Sequence, residues 1–258
     1  MKDKKQIYIF WTGGWDSTYR MVELSGQEVV VQPVYCLSPG RHSNEIEWER
    51  MENIINTLKQ KPNTKATFLP IKKINITDFP PDKTIQQAWK TICKKVSLGN
   101  QYIYLAEIAK QFPGIELGIE KPNGEFSGIL ATIDRFGKLI NQNGTFFLDK
   151  ANTLSECYTL FGNMTFPIID KTEVQMLQNI RDWGYEDVMK QIWFCHNPIK
   201  LKPCGFCRPC QQKMECHMEF LLDKSAQRRY KIFRFLSKLM GKRVAGKVIR
   251  EFLIFKEK

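Results

Sequence analysis

The sequence has no apolar run approaching the roughly 20 residues of a membrane-spanning helix, so no segment is expected to cross a bilayer. Met1-Lys2-Asp3-Lys4-Lys5 leads directly into the first strand-like run with no apolar targeting region, and the chain is expected to be cytoplasmic. The GxxxxGK[ST] spacing of a Walker A loop, with its lysine, is missing too, which excludes that phosphate-binding signature. Acidic charge is scarce in one place. From Asp223 to Lys258 twelve Lys or Arg stand against three acids, a charge of +9, which leaves +3 of the total +12 for Met1 to Leu222.

The 258 residues are enough to bury a full core and lie near the upper end for a single domain. A domain over residues 1–222 followed by a basic helical extension over 223–258 is therefore the expected organisation.

The most informative stretch is Ile7-Tyr8-Ile9-Phe10-Trp11-Thr12-Gly13-Gly14-Trp15-Asp16-Ser17-Thr18. Its β-branched and aromatic run reads as a buried strand, the glycines permit a tight turn, and Asp16-Ser17-Thr18 can open a helix. Backbone N–H groups of such a turn and of the helix N-terminus point at one spot and favour a phosphate or pyrophosphate. The pattern [S/T]GGxDS resembles the PP-loop of ATP pyrophosphatases, which cleave ATP to AMP and pyrophosphate and activate an acid or amide by adenylation. The bland alternative is a strand, turn and helix with Asp16 or Ser17 as an N-cap.

Downstream, a helix is expected from about Asp16 to Ser25, and Glu28 to Tyr35 reads as a second strand, the start of a parallel sheet. A helix follows Gly40-Arg41-His42-Ser43-Asn44-Glu45-Ile46-Glu47, with Ile46, Met51, Ile54, Ile55 and Leu58 at roughly helical spacing. Ala66–Ile71 reads as a third strand, and Pro80-Pro81 marks a loop. Helices are expected at Ile85–Cys93 and Gln101–Gln111, and a fourth strand at Ile115–Ile119. Lys121 to Gly128, including Glu125, Phe126 and Ser127, then follows the strand end where open α/β sheets place ligands. Between Asn141 and Gly162 the pattern assigns little. Thr165–Ile169 reads as a fifth strand, and a helix runs from Asp170-Lys171-Thr172-Glu173 towards Trp183. Asp170 and Glu173 have capping-box spacing. Lys171 is a cation at a helix N-terminus, which the dipole disfavours unless an anion joins it.

Eight cysteines in a cytoplasmic chain point to metal ligands or free thiols rather than a disulfide framework. Cys204, Cys207 and Cys210 form a C-x2-C-x2-C run with Cys195 close upstream, a set suited to a closed tetrahedral zinc site of structural type. A [4Fe–4S] cluster and free thiols are the alternatives. Cys216, His196 and His217 lie near enough to replace a ligand, while Cys36, Cys93 and Cys157 are expected to be buried apolar residues.

Together these motifs resemble the 7-cyano-7-deazaguanine synthase (QueC) family. Thr12 to Thr18 is similar to its SGGxDST loop, Gly40 to Glu47 to its Arg-His-x-x-Glu-Ile-Glu segment, and Gly124 to Gly128 to its Asp-x-Ser-Gly loop. Asp170 to Glu173 resembles its Lys-x-Glu helix start, and the four cysteines its zinc signature. The resemblance, in order and approximate spacing, covers most of Met1 to Leu222. It implies an α/β fold with an open, mostly parallel sheet, helices on both faces, a zinc knot and here a basic extension. It also implies ATP, Mg²⁺ and Zn²⁺ as cofactors. Trp11, Thr12, Gly13, Gly14, Trp15, Asp16, Ser17, Thr18, Tyr19, Arg20 and Met21 would form the ATP site. Asp16, Ser17 and Lys171 would serve catalysis, and Arg41, His42, Glu125, Phe126 and Ser127 would meet a deazaguanine-type substrate. The implied reaction is activation of 7-carboxy-7-deazaguanine for amide and then nitrile formation.

The chain departs from the family on the acceptor side. Leu98-Gly99-Asn100-Gln101 stands where a Gly-Arg-Asn is common, and Ile129-Leu130-Ala131-Thr132 replaces Tyr-Pro-Asp-Cys-Arg. An acceptor such as a protein or nucleic acid, as in the antiphage defence clusters where divergent QueC-like proteins occur, is thus a second expectation. A tRNA thiolase and a catalytically silent nucleotide-binding scaffold are the rivals.

In the tail, Ile232, Phe235, Leu236, Leu239 and Met240, then Val248, Ile249, Phe252 and Leu253, recur at helical spacing as a stripe expected to be buried. Arg228, Arg229, Lys231, Arg234, Lys238, Lys242, Arg243, Lys247 and Arg250 surround it; a helical appendage docked on the core with a solvated basic face and a membrane-surface helix are the alternatives, and the charge asymmetry favours a nucleic-acid or protein partner. A homodimer is left open.

Overall fold

The computed structural model describes residues 4–40, 43–122 and 124–255, with side chains as far as residue 251. The chain packs as two compact units, residues 1–192 and 193–258, so the boundary falls after Ile192 and the cysteine segment goes with the basic helices rather than with the first unit.

In the first unit, β1 (Lys5–Phe10) leads to α1 (Trp15–Ser25), β2 (Val29–Leu37) to α2 (Asn44–Gln60), and β3 (Thr67–Phe68) is followed closely by β4 (Lys72–Asn75). Next come α3 (Lys83–Cys93), α4 (Gln101–Ala109), β5 (Ile115–Leu117) and α5 (Gly128–Phe136). A hairpin of β6 (Leu139–Gln142) and β7 (Thr145–Leu148) precedes α6 (Ser155–Phe161), β8 (Met164–Thr165), α7 (Glu173–Trp183) and α8 (Glu186–Met189).

The main sheet has the order β3-β2-β1-β5-β8, with β4 also on β2, and its pairings are parallel. This is the mostly parallel, helix-flanked sheet that the alternating pattern predicts. Successive residues of β1 serve opposite faces. Phe10 and its partner Val34 enter a core with Ile85, Leu105, Phe161 and Phe166 from the side of α3, α4 and α6. Ile7 and Ile9 face the other way, where α1, α2, α7 and α8 contact one another.

Several expected boundaries move for physical reasons. Ala66–Ile71 is not one strand: the chain breaks at Pro70, and β4, not foreseen, takes over the edge of β2. Pro33 of β2 has no N–H to offer at this level, and Gln32 fills the gap by donating from Nε2 to the Pro70 carbonyl at 2.7 Å. The fifth strand is only Met164–Thr165; from Phe166 the chain turns, with Phe166 and Ile168 fully buried. The unassigned stretch Asn141–Gly162 holds the end of the hairpin and α6. The helix after β8 is capped two residues later than expected. Thr172 and Gln175 form the capping box, Thr172 Oγ1 accepting from Gln175 N and Gln175 Oε1 accepting from Thr172 N, which replaces the Asp170/Glu173 pair.

The second unit contains α9 (Arg208–Glu215), with Pro209 in its first turn, then α10 (Lys224–Met240) and α11 (Lys242–Phe255), separated at Gly241. The tail's apolar stripe is a correction. Among its described members only Ile249 is buried, while Ile232 is 53% and Phe235 64% exposed. The face that packs instead carries Ala226, Phe233, Ala245 and Ile249. Phe252 and Leu253 lie outside the described side chains.

Candidate functional site

The Gly-rich turn sits at the C-terminal end of β1, between β2 on one side and β5 on the other. Strand order reverses here, where open α/β sheets bind ligands. The turn is anchored at both ends: Trp11 N donates to Val34 O at 2.9 Å, and Trp11 Nε1 donates to Thr18 Oγ1 at 3.0 Å in the interior. Gly13 turns with φ +68°, a conformation that most side chains resist, and a Cβ there would also press on Met51 Cγ of α2 at 3.1 Å. Gly14 is the N-cap of α1 and supplies no side-chain cap, so the first turn presents its amides without one.

The chain leaving β5 closes the other side. A Cβ on Gly118 would stand 2.9 Å from Ser17 N, so the bare backbone of Gly118 lies against the start of α1. A glycine after a strand is the one local signal of this approach. Asp16, in the first turn, is close enough for its charge to help raise the Tyr102 hydroxyl, although burial is the larger cause. Tyr102 lies at the start of α4, so the Leu98–Gln101 segment leads into the neighbourhood of the same turn.

The candidate ATP residues separate into two kinds. Thr12, Gly13, Gly14, Trp15, Asp16 and Ser17 form the turn and the first helical turn. Trp11, Thr18, Tyr19 and Met21 point into the core and are nearly or fully buried. Tyr19 OH accepts from Asn179 Nδ2 at 2.7 Å, and burial pushes its hydroxyl pKa up. Arg20 is held away from the turn by a bidentate pair with Glu116, both bonds 2.8 Å, and a third bond to Glu23 at 3.1 Å. Sequence reasoning does not single out Glu116; a carboxylate within an apolar strand is the available signal.

Lys171 follows β8, and its backbone carbonyl accepts from Lys121 N at 2.8 Å, so the loops after β5 and β8 meet. Its ammonium lies 3.7 Å from Asp170 and 3.9 Å from Glu23, which is about two turns along α1 from Asp16. There it lines a cavity of about 570 Å³ with Arg20, Glu23 and Glu116. The structure therefore directs Lys171 to carboxylates rather than to the turn. Glu125, Phe126 and Ser127 are exposed ahead of α5, of which Ser127 is the N-cap. Arg41 and His42 lie outside the described residues. Just after them Ser43 Oγ donates to Glu47 Oε1 at 2.9 Å, and Tyr35 OH donates to Glu47 Oε2 at 3.0 Å, fixing the start of α2 beside the Gly13 turn.

In the second unit Cys195, Cys204, Cys207 and Cys210 are buried, and their sulfurs lie within 4.8 Å of one another. The pairs Cys195–Cys207 and Cys204–Cys210 are 3.9 Å apart. A single tetrahedral ion with metal–sulfur bonds of about 2.3 Å places its ligands about 3.8 Å apart, so the four can hold a metal ion such as zinc. Backbone amides support them. Cys204 N donates to Cys195 Sγ at 3.2 Å, and Phe206 N and Cys207 N donate to Cys204 Sγ at 3.4 and 3.2 Å. Hydrogen bonding within the cluster holds Cys204 and Cys207 low as acceptors and pushes Cys195 and Cys210 up as the thiols that keep their protons; a cation lets all four ionise together. The group found among the described residues does not include Cys216, His196 or His217. Cys157 is fully buried, but Cys36 and Cys93 are only partly so; burial pushes Cys36 and Cys157 up to about 12 and keeps them as thiols.

No protein-family model matches the chain, and no curated protein matches it.

Proposed function

We propose that the chain is a QueC-like, ATP-dependent enzyme that adenylates 7-carboxy-7-deazaguanine, or a related deazaguanine acid, for amide and nitrile formation. The observation that carries this reading is the Gly13-Gly14 turn at the strand-order reversal, where an uncapped α1 N-terminus and the bare backbone of Gly118 border one spot. Anions are favoured there by aligned amides.

In the proposed reaction the substrate carboxylate attacks the α-phosphorus of ATP and pyrophosphate leaves. Ammonia then attacks the acyl carbon, AMP leaves and an amide remains. A second activation places the amide oxygen on an α-phosphorus with loss of pyrophosphate, and departure of AMP with the amide protons gives the nitrile. The turn amides and Ser17 would hold the phosphates, and Asp16 would position Mg²⁺, which offsets phosphate charge. Lys171 would have to leave Glu23 to help neutralise pyrophosphate. Zinc on the four cysteines would be structural, since four protein ligands leave no position for an activated water.

The acceptor side favours a second reading, in which the same activation serves a protein or nucleic-acid acceptor. Where the family carries charged residues after Ser127-Gly128, this chain places Ile129, Thr132 and Ile133 in the core. A carboxylate and a purine edge thus lose charge-assisted partners worth about 1.5–3 kcal/mol each.

The test is incubation of the purified protein with ATP, Mg²⁺, ammonium and 7-carboxy-7-deazaguanine, reading AMP and the mass of amide or nitrile. AMP release that depends on the deazaguanine is expected. AMP release indifferent to it would transfer support to the second reading, and failure to bind ATP would leave a scaffold without activity.

A further inference from the structure

In the second unit a cavity of about 440 Å³ lies where α11 passes the aromatic pair Phe206 and Phe233, whose ring centroids are 6.4 Å apart. Phe206, Phe233 and the buried Gln211 form its floor. Gln211 is held in place by donating from Nε2 to the Phe206 carbonyl at 2.8 Å. The walls are Lys242, Arg243, Lys247 and Arg250, and among the described residues no acid lines the cavity.

These cations are poorly neutralised. Lys247 has one exposed partner, Glu251, at 3.8 Å, and Arg250 lies over the Phe206 ring at 5.9 Å. Among the described residues Lys242 and Arg243 have no carboxylate partner. Both open α11, whose first turn contains no acid, so they oppose the helix dipole as well as one another. Cations gathered around one concavity in this way are unfavourable until an anion joins them.

We propose that this cavity binds phosphate, presented by the backbone of a single-stranded nucleic acid. Arginine forks match phosphate oxygens, and the apolar floor suits the sugar or base edge beside them. The wider charge points to a polyanion: residues 223–258 carry +9, more than a lone phosphate needs. A single strand can bend a phosphate into a concavity, whereas a duplex presents its phosphates on a stiff convex surface. The site uses none of the residues assigned to ATP and stands independently of the adenylation reading.

The test uses the full chain, zinc-loaded, and a fluorescein-labelled single-stranded oligothymidylate followed by anisotropy over a range of salt. Replacing Arg243 and Arg250 together by Ala is expected to weaken binding at least tenfold. The slope of log affinity against log salt should fall by about 0.7 for each phosphate that is no longer neutralised. Lys238→Ala, which removes an exposed cation of α10 outside the cavity, should change affinity less than twofold. Unchanged zinc content of the variants shows that the unit remains folded. Inorganic phosphate, compared with chloride at equal ionic strength, separates the sources: competition only at the concentrations of a weak ion supports the strand backbone, whereas tight competition identifies a free-phosphate site and overturns the assignment to a strand. Equal losses for Lys238→Ala and the cavity variant, no binding of the oligonucleotide, or stronger binding of a duplex of the same length would likewise overturn the proposal.

Discussion

Gly205 lies so close to the carbonyl of Ala226 that a Cβ on the glycine would overlap the oxygen. The glycine turns the C-x2-C segment with φ +87°, and the carbonyl belongs to the first turn of α10. Arg229, one turn later, donates from Nε to Cys204 O at 2.8 Å and from Nη2 to Pro203 O at 3.0 Å. The cysteine knot and the start of the basic tail are thus a single packing unit.

Gly205→Ala should therefore destabilise the second unit by about 2 kcal/mol or more, because strain and overlap add. The check is thermal unfolding followed together with zinc content. An unchanged melting temperature at full zinc content would contradict the contact.

The same packing bears on truncation. Ending the chain after Leu222 removes Ala226, Arg229 and Phe233 from the knot and should release the metal, so the tail is more than a solvated appendage. Cys207→Ser should likewise lower zinc below one ion per chain and lower the melting temperature, while the affinity of the remaining folded protein for ATP changes little. Metal analysis with an ATP titration reads both. Iron with acid-labile sulfide in anaerobically purified protein would sink the zinc assignment.

Glu116 and Arg20 are 5% and 12% exposed at the side chain, and breaking their bidentate pair leaves the Arg20 guanidinium with its 3.1 Å bond to Glu23. Glu116→Ala should cost about 1.5–3 kcal/mol, and Glu116→Gln less because it keeps an acceptor. Urea unfolding measures both; losses below about 1 kcal/mol would place the pair in contact with solvent.

Asp82 caps α3 by accepting from Ile85 N at 2.8 Å and pairs with Lys110 at 2.6 Å. The Lys110 hydrogen bond and then the Ile85 amide hold its carboxyl below the usual range. A lowered carboxylate stabilises the fold fully above its unfolded pKa of about 4 and loses that contribution as pH falls through the folded value. Asp82→Ala should thus cost about 1 kcal/mol at neutral pH, and the cost should shrink below about pH 4. A cost independent of pH would exclude the ionised cap.

For the proposed chemistry, Asp16→Ala should reduce AMP release at least a hundredfold with the melting temperature preserved. Lys171→Met should lower kcat while leaving substrate affinity nearly unchanged, provided the ammonium leaves Glu23 during the reaction. Equal AMP release by Asp16→Ala and the parent chain would remove the catalytic role of the turn.

Local order is legible in the sequence wherever the determining forces are local. The apolar run Ile7–Phe10, the glycines after it and the alternation of strands with amphipathic helices specify a parallel sheet and its Gly-rich turn, because period, turn chemistry and crossover lengths are properties of neighbouring residues. The cysteine spacing likewise marks the metal-type site, since one short segment supplies three of its four ligands. Only the tertiary structure decided the rest. The exposure of Ile232 and Phe235 depends on which face of α10 meets Phe206, and helical spacing cannot tell one apolar face from another. Arg20 turned from a candidate ligand contact into the partner of Glu116, 96 residues away, and the Lys171 ammonium went to Glu23, because long charged side chains follow the nearest buried opposite charge. Gly118 came to lie against Ser17 because β5 inserts beside β1, a neighbourhood that no local pattern encodes.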